Sequence, residues 1–146
     1  NHFDSIFSSE VFEHIFILPE IMRELHRVLK PGGRILVTCP FAFGEHEVPS
    51  DYARYTSFAM RHMFEQHGFR VLACEKTGGY IEAVMQLRIV YWDLHILSRV
   101  KHIPVLRTVL RKSLFTLFNT GAIVARAILP HRQDLYLNNV MLAEKA

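Results

Sequence analysis

The sequence has little of what marks several common classes of protein. It contains only two cysteines, Cys39 and Cys74, each inside its own apolar run and in neither a C-x-x-C nor a metal-binding spacing. We therefore expect buried, inert thiols in a reduced cytoplasmic setting, with no disulfide framework and no thiolate metal site. The longest uncharged run of the apolar second half, residues 113–125, is shorter than the ~20 residues of a transmembrane helix.

Acidic side chains are absent from one long segment. Residues 94–133 contain no Asp or Glu but several Lys and Arg, although the whole chain has 17 basic residues against 14 acidic ones. So small an overall excess predicts no nucleic-acid partner. With 146 residues, 50% of them hydrophobic, the chain is long enough to form the core of one globular domain.

Strands and helices alternate in the first half of the sequence. Residues 3–8, FDSIFS, form a short β-rich run, and residues 18–30 carry an apolar stripe at helical spacing that ends at a proline–glycine stop. Residues 34–39, RILVTC, are apolar without alternation, which favours a strand covered on both faces of a parallel sheet. This order predicts a βαβ unit.

The rest of the sequence predicts one more helix and two more strands. A helix is predicted over residues 56–67, with Thr56 or Ser57 as its cap and Gly68 as its end. The two further strands are predicted at residues 69–75 and 135–144.

A helical insertion at about residues 79–130 is predicted between these last two strands. Its pattern is apolar and is broken at Pro104 and Gly121. The acid-free segment, residues 94–133, suits a lid over a substrate site, a dimer surface, or contact with an anionic membrane. Additional core at the end of the sheet is the simplest interpretation, and the membrane surface ranks second.

A polar and aromatic loop, GEHEVPSDYARYT, follows the second strand of the βαβ unit. Ligands bind outside the carboxyl ends of the strands in open α/β sheets, so this loop supplies candidate site residues. An ordered loop in which Asp51 pairs with Arg54 and the tyrosines pack on the next helix is the alternative interpretation. The candidates are His46, Asp51, Tyr52, Arg54 and Tyr55.

The first strand runs into the sequence SSEVFEHI, where two carboxylates and an imidazole lie close together. If the turn after Ser9 is helical, Glu10, Glu13 and His14 share one face. Two carboxylate oxygens and one imidazole suit a divalent ion such as Mg²⁺. Alternatively, the carboxylates complement the dipole of a helix, and His14 pairs with one of them.

Three stretches together resemble a known family. FDSIFSSEVFEHI, a helix ending ELHRVLKPGGRILVTCP, and a helix ending EQHGFRVL are similar to the second half of class I S-adenosylmethionine-dependent methyltransferases. The resemblance covers residues 1–75, and residues 135–144 fit the final strand. It implies a partial Rossmann-like α/β fold with a central sheet, flanking helices and a helical insertion before the last strand. The two last strands would be an antiparallel pair.

The resemblance also implies a cofactor. S-adenosylmethionine would lie against Ser8 and Ser9 at the end of the first strand, although these serines are equally suited to cap the following turn. In O-methylating enzymes of the ubiquinone pathway, E-x-x-E-H at this point is thought to bind a divalent metal. The glycine-rich turn and the acidic residue that bind the cofactor in the family are absent. We therefore expect the chain to be cut from a longer protein and to be inactive alone.

The function implied is methyl transfer to a small-molecule, lipid-linked or glycan acceptor, with oxygen favoured. An imidazole would remove the proton of a hydroxyl acceptor, and His46 is preferred over His14 for that role. The tyrosines of the loop would shape the acceptor pocket. A non-catalytic half-domain that binds a partner or a membrane is the alternative from a different class. An exposed edge of a parallel sheet also predicts homo-oligomers.

Overall fold

The computed structural model describes all 146 residues, Asn1–Ala146. The chain divides into two compact units. The first unit comprises Asn1–Thr77 and Leu137–Ala146, and the second comprises Gly78–Tyr136.

A four-stranded sheet is the centre of the first unit. β1 and β2 run parallel, whereas β4 lies antiparallel between β2 and β3, so the order is β1-β2-β4-β3. The predicted α/β fold, with a parallel start and an antiparallel pair, is confirmed. The strands are β1 (Phe3–Ser9), β2 (Leu29–Pro40), β3 (Phe69–Thr77) and β4 (Asn138–Lys145).

Two helices flank the sheet. The helix α1 (Leu18–Val28) starts with a proline in its first turn and joins β1 to β2, which completes the predicted βαβ unit. The helix α2 (Ser57–Gln66) begins where the Thr56 hydroxyl accepts a hydrogen bond from the Ala59 amide at 3.1 Å. It ends before Gly68, whose positive φ of 81° suits glycine.

The strand β2 begins earlier than predicted. Lys30-Pro31-Gly32-Gly33 lies inside β2 as an irregular bulge, because Phe3 pairs with Leu29 and Ser5 already pairs with Arg34. The positive φ of Gly32, 75°, accommodates the extra residues. This proline–glycine sequence is typical of a turn. It is held in the sheet because the residues before and after it both pair with β1.

Only one face of β2 is fully covered, which corrects the expectation of a strand buried on both faces. Ile35 and Val37 are fully buried, whereas Leu36 between them is partly exposed. Both α1 and α2 supply side chains to the single core on the buried face. That core includes Phe12, Leu18, Met22, Leu29, Ile35, Val37, Cys39, Met60, Phe64, Phe69, Met141 and Ala143.

The strand β1 lies at one edge of the sheet. Phe3 and Phe7 on this strand are largely exposed. Because an edge strand can pair with another chain, self-association through β1 stays a prediction.

Helices make up the second unit. The helix α3 (Tyr80–Tyr91) is followed by a π-helical turn and a 3₁₀ turn, and then by α4 (Pro104–Ile128). Pro104 starts α4 as predicted, but the predicted break at Gly121 is wrong, because that residue lies inside the continuous helix. A glycine costs a helix only about 1 kcal/mol relative to alanine, too little to end it here. No helix of the chain has the length and apolarity needed to cross a membrane.

Candidate functional site

A cavity of about 630 Å³ opens at the carboxyl ends of β1 and β2. This is the edge at which ligands bind in open α/β sheets. Polar side chains from all four strands and from two connecting segments surround it. They include Ser9, Glu10, His14, Thr38, His46 and Asn138.

A chain of hydrogen bonds joins the ends of the strands at this cavity. The Thr38 hydroxyl donates to Glu10 Oε1 at 2.6 Å, and Asn138 Nδ2 donates to the same oxygen at 3.1 Å. Ser9 Oγ lies 2.9 Å from Thr38 Oγ1. Since the one proton of Thr38 is used on the Glu10 carboxylate, Ser9 is the donor in that pair and keeps its lone pairs for a ligand.

The two serines do not cap the turn that follows β1. The 3₁₀ turn Phe12–His14 has no side-chain cap, which corrects that alternative interpretation. Ser8 pairs with Val37 in the sheet and does not line the cavity. Of the two serines proposed for the cofactor, the structure therefore brings only Ser9 to the cavity wall.

The predicted common face of Glu10, Glu13 and His14 does not form. The 3₁₀ turn holds only Phe12–His14, and Glu10 precedes it with a positive φ of 52°. The left-handed backbone at Glu10 turns its carboxylate toward Thr38 and Asn138 instead. A helical spacing of three and four residues predicts a shared face only where the helix includes all of them.

The structure instead brings Glu13 together with two imidazoles. Glu13 Oε1 lies 3.7 Å from His14 Nε2 and 4.0 Å from His46 Nε2. The two rings meet edge to face with centroids 4.8 Å apart. We call Glu13, His14 and His46 the carboxylate–imidazole cluster.

The Glu13 side chain is fully buried, and only one of its two oxygens is hydrogen-bonded. Oε2 accepts from the Cys39 thiol at 3.6 Å, whereas Oε1 has no hydrogen-bond partner. Burial, and then the nearby Glu13 charge, raises the pKa of Cys39, which therefore stays a neutral thiol. A buried carboxylate oxygen without a partner costs several kcal/mol, so Oε1 is a strong candidate for contact with a ligand.

Backbone carbonyls set the tautomer of both imidazoles. His14 Nδ1 lies 2.7 Å from the Ser50 carbonyl, which can only accept, so Nδ1 carries the proton. His46 Nδ1 lies 3.2 Å from the Gly44 carbonyl in the same way. It is also 3.2 Å from Arg54 Nη2, but the two protons of that nitrogen already serve Asp51 at 2.6 Å and Gly44 at 3.0 Å. In the neutral form of each ring, Nε2 therefore presents its lone pair toward Glu13.

The loop after β2 is held by an ion pair that also positions His46. Arg54 binds both oxygens of Asp51, at 2.5 and 2.6 Å, and Asp51 Oδ2 accepts from the backbone amide of His46 at 2.9 Å. The pairing of Asp51 with Arg54, the alternative interpretation from the sequence, is thus present. Arg54 holds the pKa of Asp51 well below its usual range.

Replacing Asp51 with asparagine is expected to lower the free energy of unfolding at neutral pH. Because the folded-state pKa of Asp51 lies below its unfolded-state value, the carboxylate stabilises the fold above the unfolded-state pKa. That contribution is lost as the pH falls through the folded-state pKa. Urea unfolding from about pH 7 to about pH 3 should show the gap between wild type and variant shrinking with acid. Asp4→Asn, at an exposed pair with Lys30, is the control and should change little.

The two tyrosines of the loop lie away from the cavity. Tyr52 is half-exposed and packs edge-on against Phe16 at 5.3 Å, while Tyr55 packs against the core. Burial raises the pKa of Tyr55. A second, shallower cavity of about 210 Å³ is lined by Asp51, Tyr52 and Arg54. Asp51, Tyr52 and Arg54 therefore line a different depression from the one lined by His14 and His46, and the fourth predicted acceptor-binding residue, Tyr55, lines neither.

Sequence reasoning missed Thr38 and Asn138, which hold Glu10 at the cavity. The sequence contains only weak signals for a role of these two residues. Thr38 is a lone polar residue near the end of an apolar strand, and Asn138 begins the last strand. The neighbouring Asn139 is buried and donates to the Tyr55 carbonyl at 2.7 Å, so it ties β4 to the loop.

Comparison with known proteins agrees with this architecture. Residues 1–37 match a family profile described as a methyltransferase domain. Solved methyltransferase structures superpose on the whole chain with TM-scores up to 0.56. The chain has the class I methyltransferase fold. The predicted resemblance is therefore confirmed, and the Rossmann-like sheet is its basis. No curated protein sequence matches the chain.

Three solved structures illustrate the similarity. A Galdieria sulphuraria protein, named as a sarcosine dimethylglycine methyltransferase, is 17% identical with a TM-score of 0.55, over 100% of this chain and 54% of its own. An O-methyltransferase from a trans-AT PKS multienzyme of Brevibacillus brevis, bound to S-adenosyl-L-homocysteine, is 13% identical with a TM-score of 0.56, over 100% of this chain and 45% of its own. Phosphoethanolamine N-methyltransferase 2 of Haemonchus contortus, bound to S-adenosyl-L-methionine, is 16% identical with a TM-score of 0.53, over 98% of this chain and 33% of its own. The methyltransferase-fold chain thus spans about half or less of each.

Proposed function

We propose that this chain forms the acceptor side of an S-adenosylmethionine-dependent methyltransferase. Its substrate would be a small-molecule, lipid-linked or glycan acceptor that binds in the cavity at the carboxyl ends of β1 and β2. The observation that carries the proposal is the buried Glu13 carboxylate with two imidazoles, beside a cavity at the ligand-binding edge of a methyltransferase fold.

The groups at the cavity wall suit the proposed cofactor. Ser9 keeps its lone pairs, and the carboxylates of Glu10 and Glu47 also face the cavity. A wall rich in hydrogen-bond acceptors favours the hydroxyl and ammonium groups of S-adenosylmethionine over the phosphates of a dinucleotide. Ser9 would contact the cofactor, which supplies an electrophilic methyl group when it is bound.

The carboxylate–imidazole cluster can receive a proton from the acceptor. A hydroxyl becomes a good nucleophile as its proton leaves, and His46, which lines the cavity, would accept that proton on Nε2. The Glu13 carboxylate, 4.0 Å away, would stabilise the imidazolium that forms. His14 is the second candidate base, with its Nε2 3.7 Å from the same oxygen. This favours oxygen as the acceptor atom.

A transfer assay tests this function. The protein as encoded by its gene is mixed with methyl-labelled S-adenosylmethionine and, separately, with small-molecule, lipid and oligosaccharide fractions. The label should pass to one of these fractions. If the acceptor is the oxygen of an alcohol, the labelled product is a methyl ether, and the label should remain attached after treatment with alkali. Consumption of the cofactor without a labelled product in any fraction would refute the assignment.

Membrane binding by the second unit is a second candidate function, favoured by one face of α4. Val105, Leu117, Ile123 and Ile128 on this helix are each at least 66% exposed. Several basic side chains lie near this face, among them the exposed Lys112. No acidic side chain occurs from residue 94 to residue 133, which suits the headgroups of an anionic membrane.

Vesicle flotation tests this second candidate. The protein should float with phosphatidylglycerol-containing vesicles and much less with pure phosphatidylcholine, and added salt should weaken binding. Ile123→Asp should abolish flotation. Gln66→Glu, at an exposed position of α2, introduces the same charge outside this helix and should reduce flotation only slightly. Equal effects of the two variants would exclude the apolar face as the contact.

A further inference from the structure

We infer that the second unit binds a long-chain fatty acid in a groove along α3. The groove has a volume of about 450 Å³, and all of its lining residues belong to the second unit. They recur at spacings of three and four residues, so they form one stripe on the helix surface. We call this stripe the α3 groove, and it consists of Val84, Leu87, Arg88, Tyr91 and Trp92.

The α3 groove leaves large apolar side chains uncovered. Leu87 is 39% exposed, Tyr91 57% and Trp92 37%. The buried residues of α3 are Ala83 and Ile89, so the helix packs through other positions. From its first to its last residue the groove extends about 12 Å along the helix axis, because each residue of a helix adds about 1.5 Å. An extended acyl chain can therefore lie along the groove and cover its apolar side chains.

The α3 groove contains one cation that has no carboxylate partner. The exposed Arg88 guanidinium lies 5.4 Å from the ring centroid of Phe118, and it forms no ion pair. The other arginines of α3 and α4 each pair with a carboxylate, as Arg107–Asp93, Arg111–Asp93 and Arg126–Glu82. A guanidinium can form two parallel hydrogen bonds to a carboxylate. Arg88 is therefore suited to bind the head group of an acid whose chain lies in the groove.

Charge selects a fatty acid over other amphiphiles. One guanidinium balances the single negative charge of a carboxylate, whereas a phosphate monoester carries about 1.5 to 2 negative charges at neutral pH. A cationic head group would be repelled by Arg88. A second copy of the chain, docked groove to groove about a two-fold axis, would bring the two Arg88 side chains together, and such a contact between like charges is unfavourable.

Calorimetric titration with dodecanoate tests the α3 groove. The protein as encoded by its gene is used without cofactor, acceptor or vesicles, so the result does not depend on methyl transfer. Dodecanoate, kept below its critical micelle concentration, should bind with a stoichiometry of about one. The affinity should rise about 4-fold from octanoate to decanoate and again from decanoate to dodecanoate, because an open groove covers only part of each methylene.

Trp92 reports whether the ligand lies in the groove, because it is the single tryptophan of these 146 residues and lines the groove. Dodecanoate should change the tryptophan fluorescence of the protein, and this change should be lost in Trp92→Phe. An unchanged fluorescence response in Trp92→Phe would place the ligand elsewhere and would overturn the proposal.

Arg88→Gln tests the contact with the head group. It should weaken dodecanoate binding by about 10-fold or more, and it should not weaken binding of dodecyltrimethylammonium, which has the same chain with a positive head group. Arg99→Gln is the matched control, since Arg99 is an exposed arginine outside the groove, and it should bind dodecanoate normally. Ile123→Asp should also bind dodecanoate normally, which separates this groove from the membrane contact proposed for α4.

Several results would contradict the proposal. Equal losses in Arg88→Gln and Arg99→Gln, or equal wild-type affinities for dodecanoate and the ammonium, would mean adsorption to apolar surface without recognition of a carboxylate. Binding to vesicles but not to dodecanoate would assign the groove to a membrane surface. Self-association that Leu87→Asp abolishes, with no binding of dodecanoate, would assign it to a second copy of the chain.

Discussion

Replacing His46 with alanine is expected to lower the rate of methyl transfer by about 100- to 10,000-fold, the usual contribution of a positioned general base. The imidazole lies beside Glu13, and its backbone amide is held by Asp51. Its removal leaves the cavity and the sheet intact but takes away the group that we propose accepts the proton. The loss should fall on kcat, measured with the labelled-methyl assay at saturating cofactor and acceptor.

The control for this prediction is His62→Ala, at an exposed position of α2. That variant removes the same side chain from outside the cavity and should retain the wild-type rate. A His46→Ala rate within about 3-fold of wild type would exclude His46 as the base.

Replacing Phe64 with alanine is expected to lower the free energy of unfolding by about 3–5 kcal/mol. Phe64 is fully buried in α2, with its ring centroid 6.2 Å from that of Phe12 and 5.4 Å from that of Phe69. Its removal leaves a cavity between a helix, a strand and the 3₁₀ turn. Urea unfolding followed by circular dichroism measures the loss.

Phe58→Ala is the matched control on the same helix. Phe58 is 78% exposed, and the Lys76 ammonium lies 6.0 Å from its ring centroid. We expect a change of no more than about 1 kcal/mol, from the loss of that exposed contact. Equal losses in the two variants would show that α2 does not bury the face that contains Phe64.

The core and the site are connected through adjacent residues. Phe12 is buried against Phe64, and Glu13 follows it in the same 3₁₀ turn. The burial of one aromatic ring therefore helps to keep the next side chain, a carboxylate, out of water. Packing at this turn thus contributes to the buried charge on which the proposed chemistry depends.

Much of the fold could be predicted because its signals are local. The helical stripe of α1, the Thr56 cap of α2 and the apolar run of β2 each depend on nearby residues, and each element appeared. The bulge at residues 30–33 could not be predicted, because pairing with β1, a non-local contact, holds a turn-like sequence in the strand.

The site was predicted only in part for a similar reason. Ser9 at the end of β1 follows from topology, and Glu13 and His14 are neighbours in sequence. The meeting of His46 with Glu13 depends on how the loop folds back, which the Asp51–Arg54 pair determines. Glu10 does not share a face with Glu13 and His14, as was predicted, because its backbone adopts a positive φ. Such a φ is uncommon for a non-glycine residue and could not be predicted from the sequence.

The most direct test of the account is calorimetric titration of the protein, as encoded by its gene, with S-adenosylhomocysteine. We predict one binding site in the wild type. Ser9→Trp should abolish binding by filling the cavity at the end of β1, whereas Ser9→Ala should weaken it by about 10-fold or less. Absence of binding to the wild type, or equal binding to wild type and Ser9→Trp, would contradict the claim that this edge of the sheet holds the methyl donor.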